Sequence, residues 1–224
     1  MNSKTKLSNI LRERVVIGDG AMGTMLYQQG VFVNTCFDEL NLTRPELIKD
    51  VHTAYIEAGA DFIETNSFGA NEYKLAKFGL GDKVAQINTE AVKIARSCAD
   101  ENVLVAGSMG PLGCEITDKS RVTPEQASKY YFDQASALAE AGADFLMLET
   151  FFSVDELLIA IEAVAKLELE IVAQFCINEN GTTIYGLQID EAVTRVAEHP
   201  AVTVVGLNCA IGPSLMLNSI KEVR

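Results

Sequence analysis

The chain has 224 residues, with 18 Lys plus Arg against 31 Asp plus Glu and a net charge of −13. That surplus repels a phosphate backbone and an anionic membrane face, which argues against nucleic acid and membrane as partners. No apolar run approaches the roughly 18 to 20 residues needed to cross a bilayer, and the opening MNSKTKLSNILRERVV lacks the apolar centre of a signal peptide, so a cytoplasmic location is expected.

The length suits one sizeable core, and residues 1–224 are read as one domain. Cys36, Cys98, Cys114, Cys176 and Cys209 are odd in number, widely spaced and form no CxxC pair, a pattern of free thiols or metal ligands rather than a disulfide scaffold.

In chain order, Val15 to Ile17 reads as a short first strand ending in Gly18-Asp19-Gly20-Ala21-Met22-Gly23-Thr24. This turn lacks the GxGxxG of a dinucleotide loop and the Lys-Ser/Thr of a P-loop, so it is either a place of close backbone approach to a ligand or a plain strand-to-helix connection. A helix follows with Thr43 as its expected N-cap, Pro45 near N1 and Gly59 as its stop, leading into the strand Ala60–Glu64. The junction Ala58-Gly59-Ala60-Asp61-Phe62-Ile63-Glu64-Thr65 is echoed by Ala141-Gly142-Ala143-Asp144-Phe145-Leu146-Met147-Leu148-Glu149-Thr150, the signature of a repeated βα unit. Further strands are expected at Val103–Ala106, Ile171–Phe175 and from Val202, with helices near 81–100, from Thr123-Pro124, from Ser153, around 190–198 and from Pro213.

Six short apolar strands alternating with helices fit two architectures. An open doubly wound sheet gathers its ligand residues at one switch point, whereas here successive strand tips carry Gly, Asn, Ser, Glu or Cys. Equipped tips on every strand are the habit of the (β/α)8 TIM barrel, which takes about 250 residues when complete. The expectation is an α/β chain, a (β/α)8 barrel cut after about six units and incomplete at its C-terminus.

The run Val202 to Gly212, VTVVGLNCAIG, reads as a strand buried on both faces that delivers Cys209 to the carboxyl end of the sheet. A thiol there is a metal ligand, a nucleophile or a small buried hydrophobe. Glu149 at a strand tip suits a substrate ammonium, or else caps the helix from Ser153. Asp19 binds or orients a substrate, or only holds its turn. Asn66 and Asn208 are expected behind the substrate, and His52 and His199 in surface or packing roles.

Together DGAMGT (Asp19–Thr24), ETNSFGAN (Glu64–Asn71), GSMGPLG (Gly107–Gly113), LETF (Leu148–Phe151) and GLNC (Gly206–Cys209) resemble the homocysteine-binding, zinc-dependent S-methyltransferases, the family of the N-terminal module of cobalamin-dependent methionine synthase and of bacterial fusions with methylenetetrahydrofolate reductase. The resemblance implies a barrel that binds homocysteine at its carboxyl face through Asp19, Gly20, Ala21, Met22, Gly23, Asn66, Glu149 and Asn208. It implies Zn2+ held by three thiolates, of which Cys209 is the first; the other two belong to a Cys-Cys-Gly expected beyond Arg224. Methyl transfer to the zinc-activated thiolate would give methionine, with cobalamin or methyltetrahydrofolate delivering the methyl group through other domains. From the residues alone, a carboxylate-based barrel lyase or isomerase using Glu64 and Glu149, with Cys209 structural, and a non-catalytic fragment remain alternatives.

Overall fold

The computed structural model describes residues 7–117 and 119–223. In chain order they form α1 (Leu7–Glu13), α2 (Met22–Gln28), α3 (Leu40–Thr43), α4 (Pro45–Glu57), β1 (Phe62–Glu64), α5 (Glu72–Leu75), α6 (Val84–Cys98), β2 (Leu104–Met109), α7 (Pro124–Ala141), β3 (Phe145–Phe151), α8 (Val154–Val164), β4 (Glu170–Phe175), α9 (Ile189–Ala197), β5 (Val202–Leu207) and α10 (Pro213–Glu222). The five strands lie side by side in sequence order, each parallel to the next. Parallel neighbours need a crossover, and a helix fills each one, giving the arrangement of a partial (β/α)8 barrel.

Two expectations change. Val15–Ile17 is not a strand: the segment meets the sheet through one parallel bridge, Gly18 to Phe62, with Ile17 O accepting from Asp61 N at 2.7 Å and Asp19 N donating to Phe62 O at 3.1 Å. Val15 and Ile17 stay 83% and 59% exposed, because the run is too short to bring a second side chain inward. The Val202 run is a strand, but no residue of β5 is fully buried, since it forms the edge of the described sheet. A smaller correction concerns α4, whose N-cap is Arg44 without a side-chain bond, while Thr43 ends the separate turn α3.

The repeated Ala-Gly-Ala-Asp is one physical device used twice. Gly59 and Gly142 stop their helices at φ of 101° and 102°, a conformation that glycine alone enters without strain. The Asp that follows then ties the strand start: Asp61 Oδ2 accepts from Ile17 N at 2.8 Å and from Arg14 at 2.6 Å, and Asp144 Oδ2 accepts from Val105 N at 2.8 Å and from Arg96 at 2.6 Å. The Arg14 guanidinium holds the Asp61 carboxyl below its ordinary pKa. Elsewhere α7 begins with a full capping box, Thr123 accepting from Gln126 N while the Gln126 side chain accepts from Thr123 N.

Strand alternation sorts the side chains into two cores. Ile63, Val105, Leu146, Leu148, Ile171, Ala173 and Phe175 point outward and are buried under α6, α7 and α8. Leu104, Phe145, Met147 and Val172 point inward, where Leu7 of α1, 4% exposed, packs on them and Ile10 adjoins. The inner face is therefore apolar at the amino end, which α1 covers, and polar toward the carboxyl end.

His52, expected at a surface or in packing, is wholly buried on α4, and neither ring nitrogen finds a partner among the described residues. Burial lowers its pKa to about 4. Its unfolded value is near 6.5, so below that pH the unfolded chain binds a proton that the folded one refuses. Stability should fall by about 3 kcal/mol between pH 6.5 and 4 through this group alone. His52→Leu is expected to flatten that part of the stability curve in urea titrations at successive pH values; an unchanged slope would remove His52 from the acid response.

Candidate active site

A cavity of about 570 Å³ opens at the carboxyl ends of the strands. Its lining includes Asp19, Gly20, Ala21, Met22, Asn66, Glu149, Asn208 and Cys209, so all but Gly23 of the sequence-derived candidates meet in one place. Among the described residues no lysine, arginine or histidine lines it, while three carboxylates do, Asp19, Glu64 and Glu149.

Glu149 sits where β3 begins a bulge. β3 pairs Leu148 with Ala173 and then Phe151 with Phe175, so β3 has one more residue than its partner across that interval. Phe145, Met147 and Glu149 line the cavity by strict alternation, and the extra residue then turns Phe151 outward, where its ring packs 5.9 Å from that of Tyr131. Thr150 within the bulge has φ of 61°, a left-handed conformation strained for a β-branched residue.

Asn208 holds that conformation. Its Oδ1 accepts from Thr150 N at 2.9 Å, and its Nδ2 donates to Thr150 Oγ1 at 2.8 Å and to Glu149 Oε2 at 3.1 Å. Ser108 Oγ donates to the other Glu149 oxygen at 2.5 Å. Both oxygens of Glu149 are thus held, and the helix-capping alternative falls: Ser153 caps α8 itself, accepting from Glu156 N at 3.3 Å.

Cys209 follows in another left-handed conformation, φ 57°, with its side chain exposed and its Sγ 3.5 Å from Thr150 Oγ1. Exposure rules out the buried-hydrophobe reading. Cys176, the nearest thiol in strand order, is buried and donates to Asn208 O at 3.3 Å, and burial, with Cys209 and Glu149 nearby, pushes its pKa up to about 12. Among the described residues no three of His, Cys, Asp and Glu gather as a metal site. For zinc, then, these residues offer one suitable thiol and not a closed ligand set, since a structural or catalytic zinc takes at least three protein ligands.

On the opposite wall, Asp19 Oδ2 accepts from Glu64 N at 2.9 Å, which fixes the turn against β1. Burial is the main reason its carboxyl is pushed up to about 7, with Glu149 adding to the shift. Glu64 rises well above the usual range for the same reason, and because Glu149 and Asp19 face it. Gly20 and Gly23 do not have positive φ. A Cβ on Gly20 would lie 2.8 Å from the Tyr55 hydroxyl, so glycine is needed there for space; at Gly23 the nearest atom would be Phe37 at 3.5 Å, an ordinary contact.

Asn66 lines the cavity but its amide points away, donating to Phe37 O at 2.7 Å and to Asn41 Oδ1 at 3.1 Å. It shapes the wall. His199 sits on the far side of the barrel and pairs with Glu162 at 3.1 Å. Sequence reasoning missed Ser108, Thr150 and Gln174, and treated Glu64 only as part of the lyase alternative; the Glu-Thr echo was the one signal linking Glu64 to Glu149. A second cavity, about 480 Å³, lies apart between Cys114, the start of α8 and the Thr183–Leu187 turn.

Comparison with known proteins gives this geometry a family. The family model described as homocysteine S-methyltransferase matches residues 16–224. The chain belongs to that family. It is 32% identical over 237 aligned positions to a methionine synthase of Mycobacterium tuberculosis, the alignment covering 98% of this chain and 20% of that protein, so the chain spans about a fifth of the curated relatives it matches. The metallated form of the homocysteine methyltransferase MmuM from Escherichia coli superposes with a TM-score of 0.80 at 25% identity, covering 96% of this chain and 81% of that one. The carboxyl transferase domain of Rhizobium etli pyruvate carboxylase shares only the fold, with a TM-score of 0.55 at 16% identity.

If Asn208 holds the bulge, Asn208→Ala should destabilise the chain by about 1–3 kcal/mol in urea unfolding, because Thr150 N–H and Glu149 lose partners in a half-buried site. A change below about 0.5 kcal/mol, the usual range for a surface substitution, would mean that the bulge is held by the strands alone.

Proposed function

We propose that this chain provides the homocysteine site of an enzyme that transfers a methyl group to the homocysteine thiolate, forming methionine. The observation that carries the reading is Glu149: both its oxygens are held, on a bulged strand tip, in an anionic cavity whose rim bears the exposed thiol of Cys209. A fixed carboxylate in a site whose described lining holds no cationic side chain suits an α-ammonium group. The amides that open α2, in the stretch Ala21-Met22-Gly23, suit the α-carboxylate, with Asp19 anchoring their turn to β1. An amino acid spanning these two partners would direct its side chain toward Cys209.

The thiol of homocysteine, near the ~8.5 of a free cysteine, is mostly protonated at neutral pH and a weak nucleophile. Zinc, when bound, supplies the charge that keeps such a thiol deprotonated. Cys209 is the residue of this chain assigned to it, and the remaining thiolates would come from outside these 224 residues. In the transfer, a sulfur lone pair forms the new S–C bond as the bond from the methyl carbon to its donor breaks, and the electron pair leaves with the donor. What the described residues contribute is binding and orientation: Glu149, Ser108 and Asn208 at the ammonium, the α2 turn at the carboxylate, and Asn66 behind the wall. Methylcobalamin or methyltetrahydrofolate, carried by further domains, is the proposed methyl source, in keeping with the methionine synthase relatives.

Glu149→Ala is expected to weaken homocysteine binding by about 2–5 kcal/mol, tens to thousands of fold, as is usual when one half of a desolvated charge-assisted pair is removed. Calorimetric titration checks this; unchanged affinity in a folded variant would remove Glu149 from the ammonium site.

A further inference from the structure

The turn that follows β1, within ETNSFGAN, is closely tied to its surroundings, yet the ring it carries stays partly bare. Asn41 Nδ2 donates to Asn66 O at 2.7 Å, Gln134 Nε2 donates to Ser67 O at 2.7 Å, and Gly69 N donates to Asp38 Oδ1 at 2.9 Å. Asn71 Oδ1 accepts from Lys74 N at 2.9 Å and so caps α5. Asn66, Ser67, Ala70 and Asn71 are buried, while Phe68 in their midst is 37% exposed. A turn fixed this firmly around a half-bare aromatic side chain presents that side chain rather than storing it in a core.

The ring itself is clamped. Lys74 Nζ stands 4.6 Å from its centroid, within cation–π range. Gly110, just past β2, donates its N–H to Phe68 O at 2.9 Å, and a Cβ there would lie 2.2 Å from the ring's Cε2, so the ring rests on bare backbone. Phe68 lines the cavity, and Lys74 and Gly110 do not. Most apolar side chains of the described lining come from α1 or from within the strands, whereas Phe68 comes from beyond a strand end. β1 and β5 are the outer strands of the described sheet, so Phe68 and Cys209 reach the cavity from its two ends. A ligand whose side chain runs toward Cys209 places its sulfur between them, and sulfur packs favourably against an aromatic ring at about 5 Å.

We propose that Phe68 is the specificity-determining wall for the group carried on the ligand's sulfur, and that Lys74 and Gly110 are positioning residues that hold its ring in place. The proposal rests on the homocysteine reading for the identity of the ligand. A clamped ring cannot yield to a longer substituent, whereas a ring freed from its cation or pushed off its glycine seat can swing toward solvent.

L-Methionine and L-ethionine, whose sulfur substituent is one methylene longer, are the probes. Calorimetric titration of the unmodified chain is expected to show methionine preferred by about tenfold or more, the discrimination that a firm apolar wall gives against one methylene. Phe68→Ala should erase most of that preference. Lys74→Met keeps the stem and removes the charge, and should lose the preference in the same way, as should Gly110→Ala; Lys74→Arg restores a cation over the ring and should recover it. Added to Phe68→Ala, Lys74→Met should change the preference no further, because its effect runs through the ring. Should Lys74→Met or Gly110→Ala fail to fold, Phe68→Ala and Phe68→Leu, altered at a half-exposed position, still decide the role of the wall. Equal binding of the two amino acids by the unmodified chain, a preference that survives in Phe68→Ala, or a Lys74→Met effect that persists without the ring would overturn the proposal and leave the homocysteine reading intact. Absence of saturable methionine binding to the unmodified chain would overturn both.

Discussion

The side chain of Asn208 is the tie on which the site depends. It reaches from the end of β5 across β4 to the bulge of β3, accepts from one backbone amide and donates to two side chains. Without those bonds, a threonine at φ 61° would lose the partners that offset its strained backbone, and Glu149 would be held by Ser108 and Thr150 alone. The same residue precedes Cys209, so one amide sets the carboxylate and the thiol in a common frame. Thr150 Oγ1, 3.5 Å from Cys209 Sγ, closes the link.

Around this tie the barrel separates stability from chemistry by strand position. The lower interior layer is apolar, plugged by Leu7 and Ile10 of α1, and owes nothing to the ligand. The upper layer collects three carboxylates with no cationic side chain among the described residues of its lining, and burial together with the neighbouring carboxylates raises the proton affinity of Asp19 and Glu64. Such a concentration of like charge makes physical sense where a cationic group is to be bound, and it is the reverse of what a core selected for stability alone would contain.

Much of this was legible in the residues. Turn glycines, the Thr123 capping box and alternating apolar strands act locally, so helix and strand positions followed from short stretches, and a polar residue at the carboxyl end of a buried strand marked Glu149, Asn208 and Cys209. The failures have tertiary causes. Val15–Ile17 has strand composition but makes one bridge, and β5 has a buried strand's composition without a neighbour on its outer side among the described residues. Thr150's left-handed turn carries no glycine to announce it, and Ser108 and Gln174 are ordinary polar residues until the sheet brings them to the cavity wall. Gly20 is required for the space taken by Tyr55, thirty-odd residues away, and not for its φ. Glu64 was visible as the echo of Glu149, but that both line one cavity is a property of barrel curvature that no local pattern encodes.

A crystal structure of the chain grown with L-methionine tests the central claim most directly. The ammonium is expected within hydrogen-bond distance of Glu149, the carboxylate at the first amides of α2 and the thioether turned toward Cys209. Methionine bound in the reverse sense, or seated instead in the cavity beside Cys114 and the Thr183–Leu187 turn, would contradict the assignment of the site.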